Sequence, residues 1–147
     1  MDIGSKTGYP AAALSNFSPH PFIFDGVQIN SMEGFLQALK FSNFEMQKEV
    51  CKLVGVKSKF KGKKKNRRVS QILYWNNIEY KRDSNEYQEL LDKAYNAMFE
   101  QSDSFRRVLK ASEGANFTHS IGKNKQNETV LTNNEFISRL NTLRSKL

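Results

Sequence analysis

The chain has 147 residues, 38% of them hydrophobic and 26% charged, a composition that suits one globular domain and excludes a disordered chain. No apolar run approaches the roughly 20 residues that cross a bilayer, and the single Cys51 excludes an intrachain disulfide. The net charge of +8 is concentrated: eight of the 23 Lys and Arg lie between Lys57 and Arg68 with no acid among them, and the other 15 match the 15 Asp and Glu.

That cluster, with Lys63, Lys64, Lys65 and Arg67 at its centre, suggests a polyanionic partner such as nucleic acid. A solvated loop that binds nothing is the competing reading. The opening Met-Asp-Ile-Gly-Ser-Lys lacks an apolar signal core, so a cytoplasmic location is expected. The Asn-x-Ser/Thr triplets at Asn16, Asn116 and Asn127 then read as chance.

Residues 1–12 read as a loose lead-in. Pro21 to Ile29 reads as a hairpin around Asp25-Gly26, a strong two-residue turn signal. Ser31 caps a helix running to Phe41, with Met32, Phe35, Leu36 and Leu39 on its apolar face. A second helix spans about Phe44 to Leu53 and stops at Gly55. Cys51 within it reads as a packed thiol. After the basic segment, Ile72–Trp75 and Ile78–Tyr80 form a second hairpin around Asn76-Asn77. Ser84 opens a long helix with Tyr87, Leu90, Leu91, Ala94 and Met98 along one side. A short helix carries Phe105, Val108 and Leu109 and ends near Gly114. Thr132-Asn-Asn-Glu135 is a capping box, opening a last helix with Phe136, Ile137, Leu140 and Leu143 inward. Helices with two small hairpins make the class α+β, mainly α, in one domain over 1–147.

Three polar residues of the first long helix, Glu33, Gln37 and Lys40, fall at i, i+4 and i+7 and share a face. Glu33 lies in the first turn, where the helix dipole favours an ionised carboxylate. A solvated helix face is the simpler reading of the spacing. Ser120-Ile-Gly122-Lys123-Asn-Lys125 offers glycine flexibility beside lysines and could hold a phosphate, without P-loop spacing. Trp75 is either core or a platform for a base. His20 and His119 lie far apart and form no cluster with Cys51, so no metal site and no cofactor are expected.

Leu14-Ser-Asn-Phe17, then Pro21 to Val27 around Asp25-Gly26, then Ser31-Met-Glu33-Gly-Phe-Leu-Gln37-Ala-Leu-Lys40-Phe41 resembles the opening of the NADAR (YbiA-like) family. In that family a (Phe/Leu)-Ser-Asn-Phe loop, a proline and an Asp-Gly hairpin precede a helix of the form Ser-Glu-His-Tyr-Phe-Gln-Ala-x-Lys-Phe. Ala94 to Phe99 with Phe105, and Thr118 to Lys123 with Glu128 to Thr132, resemble later family motifs. The likeness covers about Leu14 to Arg144.

The resemblance implies a compact, mainly helical YbiA-like domain and an N-glycosidase. The favoured substrate is ADP-ribose on a guanine base of nucleic acid. A small ribosyl metabolite of riboflavin biosynthesis, or a module that binds ADP-ribose or a nucleotide without turnover, are the alternatives. Glu33 matches the catalytic helix acid, Gln37 and Lys40 the helix Gln and Lys, and Asn16 and Phe17 the opening loop. The chain departs from the pattern at Met32, which stands for Ser, at Gly34, which stands for His, and in a later segment, where Asn116-Phe117-Thr118-His119 stands for the family's Tyr-Trp and Gly-Asp. Glu128 is the candidate second carboxylate. Lys40 and Lys123 are expected to bind phosphate as point charges. His119 and Gly122 are expected at the pocket wall, and Phe17 or Trp75 to stack on the base.

Overall fold

In the computed structural model, which describes residues 1–55, 57, 58, 61 and 71–147, both hairpins turn on paired residues of positive φ. Strand β1 (Pro19–Phe24) and β2 (Val27–Ser31) are antiparallel, with Phe24 opposite Val27 across Asp25 (φ 49°) and Gly26 (φ 75°). Strand β3 (Ile72–Trp75) and β4 (Ile78–Lys81) repeat the design across Asn76 and Asn77, at φ 52° and 67°. Two left-handed residues in a two-residue loop match the right-handed twist of the flanking strands, and Asn, Asp and Gly tolerate that backbone best.

Helices make up most of the rest. Among the described residues these include α1 (Ala11–Leu14), α2 (Met32–Ala38), α3 (Phe44–Cys51), α4 (Asn85–Gln101), α5 (Asp103–Ala111) and α6 (Asn133–Arg144), with a 3-10 turn at Gln126–Glu128. The caps lie where hydroxyl and amide side chains occur in the sequence. Ser31, Asn43, Ser84 and Ser102 each accept a backbone N–H in the first turn of α2, α3, α4 and α5. Thr132 and Glu135 form a reciprocal capping box at α6. Ser102 ends α4 as well as starting α5, so the two helices meet at one residue.

Helix α4 is the centre of the packing. It touches β1, β4, α5 and α6, while α2, α3 and β2 pack against one another. Tyr87, Leu90, Leu91, Ala94 and Met98 are buried along it, together with Tyr95. Cys51 is fully buried, and burial pushes its thiol up to about 12, so it packs as a small apolar group. Among the described residues no helix is long and apolar enough to cross a membrane.

Two expectations need correction here. The first residues are not loose. Asp2 bridges Thr118 in parallel, Ile3 is buried, and the Asp2 carboxylate accepts from the Ser120 N–H at 2.8 Å and its hydroxyl at 2.6 Å. The apolar Ile3 and this local polar set tie the terminus to a loop over a hundred positions away, which no local pattern could reveal. The first long helix is also shorter than its periodicity suggests. It ends at Ala38, and Lys40 and Phe41 follow in a tighter turn bonded back to Gln37 and Ala38.

Candidate active site

Helix α2 begins where Ser31 serves two partners. Its hydroxyl accepts from the Gly34 N–H at 3.1 Å and donates to the Leu53 carbonyl at 3.1 Å. Asn30 donates to the Lys52 carbonyl at 2.9 Å, so the free carbonyls at the end of α3 are met from the start of α2. The two helices approach so closely that a Cβ on Gly34 would lie 2.9 Å from the Leu53 carbonyl oxygen and 3.1 Å from that of Val50. Glycine at this position, where the resembled family carries His, is therefore a packing requirement of this chain.

Glu33 is half-buried in the first turn of α2. Its backbone N–H donates to the Asn16 carbonyl at 2.9 Å, and its Oε1 accepts from Gln37 Nε2 at 2.8 Å. Asn16 lies in the loop after α1, and its side-chain oxygen accepts from the Tyr95 hydroxyl at 2.8 Å. Tyr95 is buried in α4 and burial drives its phenol well above the ordinary range, so the hydroxyl stays protonated and donates. Glu33, Asn16, Gln37 and Tyr95 thus form one locus built from α2, the α1–β1 loop and α4. Phe17, half-buried, continues the loop, its N–H donating to Ser15 Oγ at 3.2 Å. Lys40 is half-buried just beyond the helix.

A second locus collects the later candidates. His119 Nδ1 lies 2.7 Å from the Ile3 carbonyl, which can only accept, so this nitrogen carries the proton. The ring stands edge-on to Phe136 at 5.3 Å. Gly122 is wedged there: a Cβ on it would fall 1.9 Å from Asn133 Oδ1 and 2.5 Å from His119 Cδ2. No left-handed backbone is involved; a side chain at 122 would have to displace the side chains of Asn133 and His119. Lys123 is exposed, and its carbonyl accepts the Asn133 N–H at 2.9 Å. Glu128 is half-buried in the 3-10 turn, whose Asn127 carbonyl faces Gln71. The described contacts of His119, Gly122 and Lys123 lead to Ile3, Phe136 and Asn133, and not to Asn16 or Glu33.

Trp75 must be corrected from a stacking platform to a core residue. It is 1% exposed, stacked with Phe24 at 5.9 Å and edge-on to Phe35 and Phe44, with its N–H donated to Asp25 at 2.8 Å. A ring so enclosed has no face left for a base. Lys63, Lys64, Lys65 and Arg67 lie outside the described residues; Lys57 and Lys61 of the same segment are exposed. Sequence reading passed over Tyr95 and Gln47. Tyr95 follows Leu91 at i+4 on the apolar side of α4 and was recoverable by that spacing. Nothing local marks Gln47, which bonds the Ala38 and Tyr74 carbonyls at 3.1 and 2.7 Å.

The whole arrangement superposes on the NMR structure of the E. coli protein YbiA with a TM-score of 0.62, over 99% of this chain and 83% of that one, at 19% identity. The fold is accordingly a YbiA-like α+β domain. A family model for bacteriophage protein GP30.3 matches residues 8–145. An uncharacterized 17.1 kDa protein in the Gp30-rIII intergenic region of Enterobacteria phage T4 is 37% identical over 149 residues, covering 100% of this chain and 98% of that protein. The chain belongs to the bacteriophage GP30.3 family.

Proposed function

We propose that this protein is a NADAR-type N-glycosidase that removes ADP-ribose from guanine bases of nucleic acid, with Glu33 as its catalytic carboxylate. The observation that carries this reading is the Glu33 locus. A carboxylate in a helix first turn accepts one N–H from Gln37, and its own backbone is pinned to Asn16, whose amide is held from beneath by Tyr95.

Breaking a ribose C–N bond builds positive charge on the sugar, which a preoriented carboxylate stabilises. The water oxygen bonds to the anomeric carbon, the C–N electron pair leaves with the base nitrogen, and Glu33 takes the proton of the attacking water. In this reading Asn16 meets a ribose hydroxyl, and Phe17 takes the stacking role that Trp75 cannot fill. Lys123 and the basic segment from Lys57 to Arg68 supply cationic contacts to phosphates. Glu128, half-buried in the 3-10 turn, stays the candidate second carboxylate of this reading.

One observation favours a second reading, in which the domain binds ADP-ribose without turnover. Position 34, where the resembled family carries His, has no room for a side chain. A direct assay separates the readings. The protein is incubated with DNA bearing ADP-ribosylated guanine, and with ribosyl intermediates of riboflavin biosynthesis; ADP-ribose freed from the DNA and base freed from the intermediates are measured. Release from the DNA, reduced by roughly a hundredfold or more in Glu33→Gln, is expected. Binding of ADP-ribose with no release from any conjugate would select the second reading.

A further inference from the structure

We propose that Gln37 is a positioning residue that holds the Glu33 carboxylate in a single orientation and in its ionised form, and that the fold tolerates a buried, unsatisfied acceptor to achieve this. The proposal rests on the reading of Glu33 as the catalytic carboxylate. Gln37 lies one helical turn beyond Glu33 and is 6% exposed. Its Nε2 donates to Glu33 Oε1 at 2.8 Å, while its own Oε1 is buried with no hydrogen-bond partner among the described residues. Orphaned buried acceptors are rare because water is given up with nothing in return. The orphan here follows from the direction of the amide. Turning it over would set the amide oxygen against the carboxylate, two acceptors facing each other, and lose the one bond that Gln37 makes to Glu33.

Gln47 shows that burial alone does not force such an orphan. It too is fully buried, yet its Nε2 reaches the Ala38 and Tyr74 carbonyls and its Oε1 accepts from the Asn76 N–H at 3.3 Å. Gln47 is a strut, satisfied at both ends. Gln37 is satisfied only toward Glu33. A methionine at 37 would have similar volume and helix propensity and would leave no orphan. Packing therefore gives no reason for an amide at 37, whereas a carboxylate that must stay fixed and charged does. A local rule broken beside a reactive group is where function is expected to override stability.

The test uses Gln37→Met and Gln37→Glu in the full chain. For Gln37→Met the melting temperature is expected to hold or rise, since the orphan acceptor is gone. Turnover is expected to fall by up to about a hundredfold, with the Michaelis constant little changed, because the reacting group is no longer held in place. Losing an N–H donor disfavours the charged form, so the Glu33 carboxyl, followed by carbon-13 NMR, should titrate at higher pH than in the parent chain. The acid limb of the pH–rate profile should move the same way. In Gln37→Glu, which preserves shape, two adjacent carboxyls should titrate as a coupled pair whose upper step exceeds the parent value. A lowered melting temperature in Gln37→Met with unaltered turnover and unaltered Glu33 titration would overturn the proposal, as would an unmoved Glu33 titration in Gln37→Glu. If the parent chain frees neither ADP-ribose from the DNA nor base from a small ribosyl substrate, the catalytic reading of Glu33 fails on its own. The carboxyl titration still decides whether Gln37 holds it.

Discussion

The Tyr95 hydroxyl, buried in the long central helix, donates to the side-chain oxygen of Asn16 at 2.8 Å, joining the core of the domain to the loop that supports Glu33. With its oxygen occupied, the Asn16 amide turns its N–H groups away from Tyr95. Tyr95→Phe keeps the ring and removes only this bond. Stability should fall by about 1 kcal/mol, the usual net worth of one hydrogen bond. Turnover on an ADP-ribosyl substrate should fall further in proportion, by roughly tenfold, because a loosened Asn16 no longer fixes the helix start. Denaturant melts and kinetics on the same preparation check both, and unchanged kinetics would detach Asn16 from the site.

Gly34→Ala is expected to destabilise the fold by about 1–3 kcal/mol, the range for overpacking. The new Cβ meets backbone carbonyls at the end of α3 and just beyond it, not the end of a flexible side chain, so relief requires this backbone to move away from α2. A melting temperature equal to the parent's would show that α3 yields more easily than its bonds to Ser31 and Asn30 suggest.

Acid should unfold the protein in two stages. His20 is buried, its Nε2–H donated to the Ala13 carbonyl at 2.6 Å and its Nδ1 at 2.7 Å from Ser104 Oγ; burial lowers its affinity for a proton. Its contribution is complete above the ordinary histidine value of 6.5 and is lost as pH falls through the lower folded value. Burial by itself would raise Glu135, but bonds from Arg82, the Thr132 N–H and Gln88 hold its carboxyl below the usual range. That contribution is present above the unfolded carboxylate value and is lost as pH falls through the folded one. Melting temperature measured from pH 8 to pH 3 should decline first below about 6.5 and again in the carboxylate range. Arg82→Met removes both Arg82–Glu135 bonds, at 2.6 and 3.0 Å, and should cost about 3–5 kcal/mol at neutral pH by stranding a buried charge. In that variant the lower stage should shrink, with the Thr132 N–H and Gln88 still bonded to the carboxylate.

Replacing Lys63, Lys64, Lys65 and Arg67 together by Gln should weaken nucleic-acid binding. For each phosphate that the variant no longer neutralises, the slope of log K against log salt should shrink by about 0.9 on duplex DNA and about 0.7 on single strands. Filter binding across a salt series measures this directly, and an unaltered slope would move the binding track elsewhere.

Lys123→Ala should raise the Michaelis constant for an ADP-ribosyl substrate far more than for a ribosyl substrate without the pyrophosphate. The side chain is exposed beside Gly122, whose close packing holds the turn. Equal effects on both substrates would remove Lys123 from phosphate recognition.

Local chemistry in the sequence determined both hairpins, the cap residues and the apolar sides of α4 and α6. Asp-Gly and Asn-Asn tolerate positive φ, and short hydroxyl or amide side chains satisfy free backbone N–H groups wherever the chain folds next. It also placed Glu33 and Gln37 one turn apart, because helical spacing is a local property. Tertiary structure decided the rest. Only the packed fold brings Tyr95 beneath Asn16, encloses Trp75 among Phe24, Phe35 and Phe44, and seats Ile3 against the loop at Thr118. It alone shows that Gly34 and Gly122 answer to crowding by distant groups, and that one end of Gln37 is left without a partner. Those facts depend on which atoms, remote in sequence, exclude water from one another, and no local periodicity encodes that.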